Sequence, residues 1–313
     1  MEEIYTERRS NNHDEEIDLK ELFYILMAGK WIIIAVTTFV SIIAVIYSLL
    51  TPNIYESRAL LVPVNSSNSI SGALGGYSNF AGLAGINLPS NSNENNTQQA
   101  LEKIKSLSFF ENNILKNINL LDLMAVREWN STTNILAYDQ NIFDTKSNTW
   151  VRDFSYPQQQ IPSAQESFEI FKKEHLSLNE DKNSGFITLS IKHQSPFIAK
   201  QWTELIINEI NDFYRLKDKL ASEKSASYLN EKISLTSFSE IKQALAQLLQ
   251  EETKKLALIE GSEFYVFDYI DTPTIMEKKS SPNRALICIL GALLGGILGI
   301  VSVLIKYYFR ESK

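Results

Sequence analysis

Two long uncharged apolar runs, one near each end of the chain, constrain this sequence more than any other feature in it. From Trp31 to Leu50 (WIIIAVTTFVSIIAVIYSLL) the chain is mostly apolar, and no charge occurs between Lys30 and Glu56. Ala285 to Ile305 is likewise uncharged and is bounded by Arg284 and Lys306. At about 1.5 Å per residue, runs of about 20 residues make helices of roughly 30 Å, the thickness of a bilayer's hydrocarbon core. Both can span. A cleaved signal peptide is a poor account of the first, because the run is too long, starts well inside the chain and follows acidic residues.

Two spans put both termini on one side of a membrane and the residues from Thr51 to Arg284 on the other. Lys20 and Lys30 precede the first span, and Lys306, Arg310 and Lys313 follow the second, so the short tails carry the orienting positive charge. In a bacterium this predicts an inner-membrane protein with both termini cytoplasmic and the main domain periplasmic. The near-neutral mean hydropathy of -0.13 is then the average of a bilayer part and a polar, Asn/Ser/Gln-rich middle. One cysteine, Cys288 inside the second run, and three histidines supply neither a disulfide framework nor a zinc site. A net charge of -7 argues against nucleic acid as a partner, and no phosphate-binding G-x-x-x-x-G-K-[ST] string occurs. No cofactor is expected.

The runs carry further detail. Asp18 and Glu21 form a capping box ahead of Leu19, Leu22, Phe23 and Leu26, which predicts an amphipathic helix leading into the first span. In the second span Gly291, Gly295 and Gly299 are four apart, with Gly296 beside them. Small residues at that spacing let helix backbones approach, and Thr37, Ser41, Ala44 and Ser48 are candidate partners in the first.

Three segments read as strands: Tyr55 to Val64, Phe186 to His193 and Phe264 to Ile270. The first follows span one and the last leads to span two, which predicts a small sheet just above the membrane, covered by helices over Leu101 to Asn117 and Ser163 to Leu176. Ser195 and Pro196 open a helix whose apolar positions Ile198, Trp202, Leu205, Ile206, Ile210, Phe213 and Leu220 recur at helical spacing. The stripe thins from Ala221 to Glu231, where a kink between Ala221 and Ala226 would shorten a helix of roughly 60 Å. Ser237 and Glu240 read as a second capping box, opening a helix through Ile241, Leu245, Leu248, Leu249, Leu256 and Ile259 that Gly261 closes. The two helices make a hairpin that turns near Leu235 to Ser237. Plain intrachain packing accounts for the stripe up to Leu220; the thinner part suits contact with a neighbouring protomer.

Ile70 to Leu88 is Gly-rich and apolar, either a mobile loop or a partner-contact segment, and Asn87 to Gln99 reads as a polar linker. Between residues 122 and 162, Trp129, Tyr138, Phe143, Trp150, Phe154 and Tyr156 lie among amides, which suits an irregular lobe better than a sugar site. The acidic pairs Glu166 with Glu169 and Asp268 with Asp271 have ordinary explanations at a helix start and a strand end, so no enzyme is expected.

The approach to the second span completes a longer pattern. Pro273, Ser281, Pro282, Gly295, Gly296 and Gly299 fall in register with P-x2-P-x4-S-P-K-x11-G-G-M-x-G-A-G, while Met276, Asn283, Ile297, Ile300 and Val301 depart from it. In these residues the chain resembles the polysaccharide co-polymerases, the chain-length determinant (Wzz) family of O-antigen chain-length regulators. E-I-D-L-K-E-L ahead of span one and K-N-S-G-F-I-T-L-S-I-K-H-Q-S-P-F-I-A-K-Q-W at 182–202 also look like the family.

The resemblance implies a non-enzymatic protein that sets the modal length of a lipid-linked surface polysaccharide, most simply lipopolysaccharide O-antigen. It implies a homo-oligomeric ring acting with a membrane-embedded polymerase on a lipid-linked glycan. A membrane adaptor of a capsule or exopolysaccharide export machine, or an activator of a separate tyrosine kinase, shares the two-span plan. The expected fold is an α+β periplasmic domain between two transmembrane helices, with a small membrane-proximal mixed sheet, helices and a long projecting α-helical hairpin. Its parts are a cytoplasmic tail over 1–30, span 31–50, outer domain 51–284 with the hairpin at about 196–260, span 285–305 and tail 306–313.

Overall fold

The computed structural model describes residues 19–64 and 92–311. The Asp18 capping box and the Gly-rich segment over 70–88 lie outside them. The chain divides into two compact units, residues 1–51 with 282–313 and residues 52–281.

The first unit is helical. Helix α1 (Leu19–Ala28) leads through Gly29 into α2 (Lys30–Leu50), which pairs with the last helix of the chain, Arg284–Glu311. Both longer helices are long and apolar enough to cross a membrane.

The second unit is built on a four-stranded sheet. Strand β1 (Tyr55–Pro63) is followed by α3 (Ser92–Ile104), and a short helix α4 (Leu107–Phe109) runs into a π-helical turn at Phe110–Ile114. Next come α5 (Leu120–Met124) and two small hairpins, β2 (Val126–Asn130) with β3 (Ile135–Tyr138) and β4 (Phe143–Asp144) with β5 (Thr149–Trp150). Helix α6 (Ala164–Ile170) passes through a π-helical turn into β6 (Leu176–Glu180) and β7 (Ile187–His193). The long α7 (Pro196–Leu235) and α8 (Ser239–Gly261) precede β8 (Phe267–Asp271) and the final α9 (Arg284–Glu311).

Strand order is β6-β7-β1-β8. Alternation puts Ser57, Ala59 and Leu61 of β1 and Ile187, Leu189 and Ile191 of β7 on the buried face, with Ala59 opposite Leu189 and Leu61 opposite Ile187. Against that face α7 lays Ala199, Trp202, Ile206, Ile207 and Ile210, and α4 with its π turn adds Phe109, Phe110 and Ile114. Phe110 meets Phe171 at 5.0 Å between ring centroids, and Phe171 meets Trp202 at 6.1 Å.

The α+β plan with a long helical hairpin is the expected one, and five details differ. The sheet is antiparallel at each pairing rather than mixed, because β6 turns back into β7 and both β7 and β8 run against β1. The β6–β7 turn is closed by Gly185 at φ +71°, with Gly185 N–H donating to Asp181 O at 2.7 Å. The helix expected from Leu101 begins at Ser92, inside the supposed linker, breaks after Ile104 and ends its π turn at Ile114. Helix α7 stays unbroken from Pro196 to Leu235, through the place of the expected kink; the stripe thins because the inward positions there include the small residues Ser222, which is buried, and Ala226, which is half-buried. Ser237 does not cap α8: the first flanking residue is Phe238, with no side-chain capping bond, and Gly261 lies within the helix rather than closing it. Ser195 holds the N-cap of α7 without a side-chain bond, and Pro196 takes the first turn as expected.

Candidate functional site

The glycines of α9 set how the two long helices of the first unit meet. A Cβ at Gly291 would overlap the Cβ of Ala44. One at Gly295 would lie 3.0 Å from Thr37 Cα and 3.1 Å from its carbonyl oxygen, and one at Gly299 would lie 3.0 Å from Ile33 Cα. Positions four apart thus climb α2 in reverse, from Ala44 to Ile33, with backbone against backbone. Gly296 is different. Nothing lies within 4 Å of a Cβ there, since a one-residue step turns it about 100° off the contact face. Of the four candidate partners, Ala44 and Thr37 meet glycines and Ser48 is buried.

The remaining signature residues belong to the neighbouring segments. Pro273 is buried in the second unit, where Ser57 Oγ donates to the carbonyl of Thr274 at 3.0 Å. Ser281 pairs antiparallel with Ile54, the Ile54 N–H donating to Ser281 O at 2.9 Å. Pro282 follows immediately and falls in the helical unit. The structure therefore does not gather the signature into one constellation; it splits it between a strand-like clasp and a helix interface.

Two parts of the clasp carry no periodic signal in the sequence. Glu56 accepts from Arg58 at 3.0 and 3.1 Å and from Ser280 Oγ at 2.9 Å. Burial would raise its pKa, but the hydrogen bonds from Arg58, Ser280 and Ser190 outweigh that and hold it down at about 2. Its stabilising contribution is present above the ordinary glutamate range and is lost as pH falls toward about 2. Asn211 of α7 accepts from the N–H groups of Val266 at 2.7 Å and Phe267 at 3.0 Å and donates to Phe267 O at 3.0 Å. One buried amide thus pins the root of the hairpin to β8.

Beside the sheet is a cleft of about 190 Å³, whose walls include Asp122, Glu174, His175, Lys192, His193 and Gln194. His193 accepts from the Ser195 N–H at Nδ1, 2.9 Å away, so its Nε2 carries the proton and donates to Asp122 O at 2.9 Å. His175 Nδ1 donates to Lys192 O at 2.7 Å, and the two rings lie 5.7 Å apart against Trp202. Burial pushes both pKa values down, that of His193 to about 4. The His193 ring, whose Nδ1 accepts a hydrogen bond, is therefore neutral in the fold. Above about pH 6.5 folded and unfolded chains agree; from there down toward about 4 the unfolded chain binds protons that the folded one refuses, and stability falls. At pH 5 His193 alone should cost about 2 kcal/mol relative to pH 7.5. Thermal unfolding of the wild type and of His193→Gln across pH 4.5 to 7.5 checks this, and equal slopes for the two would refute it.

The acidic pairs do structural work. Arg152 holds both carboxylate oxygens of Glu166, and Asp268 accepts from the N–H of Tyr269 at 2.7 Å. Among the described residues no group of three or more His, Cys, Asp or Glu is placed to hold a metal.

On the hairpin, α7 and α8 pack together and Lys219 Nζ bridges to Glu260 at 2.8 Å. The outward faces nonetheless leave Leu216, Leu220, Tyr228, Leu235, Phe238, Ile241 and Leu248 exposed, Phe238 and Leu235 by 69 %. That is a line of large apolar side chains at and below the tip, on helices whose mutual contact is already made.

Residues 15–122 match the family model described as Wzz, chain length determinant protein. That segment, about a third of the chain, is similar to chain length determinant proteins. It takes in α1, α2, β1, α3 and α4, so the matched segment includes the helix against which the α9 glycines pack, while those glycines lie beyond it. No curated protein matches the chain. Among solved structures, the chain is similar to a full-length bacterial polysaccharide co-polymerase, at 16% identity over 94% of this chain and 99% of that one, with a TM-score of 0.42. A fragment of the WzzB polysaccharide co-polymerase of Salmonella Typhimurium is 13% identical over 73% of this chain and all of that one, with a TM-score of 0.31. A mutant of the Shigella flexneri lipopolysaccharide O-antigen chain-length regulator is 11% identical over 72% and 100% of the two chains, with a TM-score of 0.24.

Proposed function

We propose that this chain is a non-enzymatic polysaccharide co-polymerase of the inner membrane, which sets the modal length of a lipid-linked surface glycan, lipopolysaccharide O-antigen being the first choice. The observation that carries the reading is the Wzz match over residues 15–122, in a family that regulates chain length rather than catalysing a reaction. The two membrane-length helices and the glycine-packed interface between them agree with it. Both termini are cytoplasmic in this reading and the second unit is periplasmic, following the charge of the tails. The partners are further copies of the chain, a membrane polymerase and its lipid-linked substrate. Work of this kind needs a scaffold of fixed dimensions, and the signature residues Pro273, Ser281, Pro282, Gly291, Gly295, Gly296 and Gly299 would serve by setting those dimensions.

The test is the length distribution of surface glycan on gels from cells lacking the gene and from complemented cells. Loss of a modal cluster on deletion and its return on complementation support the reading; an unchanged ladder defeats it.

The hairpin makes a separate prediction. If its exposed stripe is the contact between protomers, Leu220→Ser with Phe238→Ser should shift the purified full-length chain from an oligomer toward smaller species in light scattering, with helix content unchanged. Each side chain buried at such an interface is worth about 1.5–3 kcal/mol, so two should suffice to weaken the assembly visibly. An oligomer of unaltered mass would show that the contact lies elsewhere.

A further inference from the structure

The helical unit also contains a cleft that neither the glycine packing nor the chain-length reading uses. Gly29 joins α1 to α2 as a continuous bend: its N–H donates to Ile25 O at 3.0 Å, and its carbonyl accepts from the N–H of Ile32 at 2.9 Å. A Cβ at Gly29 would collide with Val303 of α9, so only glycine lets the bend sit directly on that helix. The result is a cleft of about 430 Å³ between α1, the start of α2 and the end of α9. Ile25, Ile32 and Val303 make an apolar wall; Tyr24, Lys306 and Tyr307 give the lining its polar groups.

The two sides of this cleft ask for different chemistry. A water-soluble anion would satisfy Lys306, which makes no ion pair among the described residues, and leave the isoleucines facing water. A neutral hydrocarbon would cover the wall and leave the ammonium without a counter-ion. An anionic amphiphile answers both, and in a helix pair of membrane length the abundant one is lipid. Basic pockets at the inner ends of membrane helices bind anionic head groups on the same principle. We propose that the cleft is a binding site for an anionic glycerophospholipid, its phosphate at Lys306 and the tyrosines, and one acyl chain along the wall of Ile25, Ile32 and Val303. This rests on the reading that α2 and α9 cross a bilayer. Its consequence is that α1 is held against α9 partly through a lipid, so the approach to the first span depends on membrane composition.

The experiment is native mass spectrometry of the full-length chain in neutral detergent, titrated with phosphatidylglycerol, with phosphatidylcholine of the same chains, or with inorganic phosphate. One phosphatidylglycerol per chain should be retained over phosphatidylcholine, and millimolar phosphate should not displace it. Lys306→Gln should lower retention about fivefold, the effect of one basic residue near a lipid surface, and Lys306→Arg should restore it. Gly29→Val should lower it as well by forcing the bend off Val303, and because that variant could misfold, the Lys306 pair carries the decision. Equal retention of the two lipids, displacement by phosphate, or an unaffected Lys306→Gln would overturn the site. Fractionation of the same cells separates the causes: a chain recovered outside the membrane would refute the spanning reading itself, whereas a membrane-bound chain without lipid selectivity would refute this inference alone.

Discussion

Leucine at Gly295 is expected to drive α2 and α9 apart and, under the proposed function, to broaden or shift the glycan modal length, whereas leucine at Gly296 is expected to do neither. The first would place its Cβ 3.0 Å from the Thr37 backbone, which cannot rotate away, before the rest of the side chain is counted. Overpacking of this kind costs about 1–3 kcal/mol where side chains can yield, and more against backbone. In a bilayer no hydrophobic term between helices offsets the loss, because lipid is as apolar as leucine. Gly299→Leu should behave like Gly295→Leu, since its Cβ would meet Ile33 Cα at the same distance. Gly296, with open space around it, is the internal control. Two readouts check the series: the detergent-stability midpoint of the purified chain, and the glycan ladder from cells expressing each variant. A ladder that responds to Gly296→Leu as strongly as to Gly295→Leu would show that the family pattern, rather than helix contact, explains the glycines. Silence at all three positions would show that the interface is not functional.

The second large effect is expected at Asn211. Asn211→Leu keeps the size of the side chain and removes both halves of its amide, leaving the N–H groups of Val266 and Phe267 and the carbonyl of Phe267 without partners in a buried site. Each buried unpaired group costs about 1–3 kcal/mol, so a total of about 3 kcal/mol or more is expected. Asn211→Asp retains the acceptor but sets a buried carboxylate against the Phe267 carbonyl, and should destabilise the chain as well. Urea unfolding of the full-length chain in detergent, followed by tryptophan fluorescence from Trp202 in the adjoining core, measures both. A loss below about 1 kcal/mol for Asn211→Leu would mean that water takes over the bonds and that the hairpin root is looser than its geometry implies.

Asn211 also shows what a linear reading can and cannot find. The two membrane-length helices show as unbroken apolar runs, and the three strands of the expected sheet and the hairpin repeat with a period, so all are visible in residues a few places apart. Asn211 interrupts an apolar helical stripe, and its partners lie more than fifty residues on. Nothing local marks it out from a solvent-facing asparagine. The same holds for Glu56 and Ser280, which meet across the whole second unit, and for His175 and His193, whose burial depends on Trp202. Strand β6 hid for another reason: Leu176 and Leu178 follow the π turn directly, so the helical pattern runs into the alternating one without a break. The glycines were legible as a contact face from their four-residue spacing. That Gly29 shares in the packing was not, because it stands alone ahead of the first span and its partner is nearly the whole chain away. Of the signature leading to the second apolar run, Ser281 lies in a backbone pairing, Gly291, Gly295 and Gly299 lie in a helix seam and Gly296 lies off it, and no spacing rule separates those places.

The pairing of Ile54 with Ser281 has a consequence for how the second unit can vary. Its last residue is hydrogen-bonded to its third, so the unit behaves as a module whose two attachment points are tied by its own backbone. Turns could be added to or removed from α7 and α8 at the far end, and the separation at which the chain leaves and returns would stay the same. A hairpin graft from a protein of different reach would thus change one dimension of the molecule and hold the other constant.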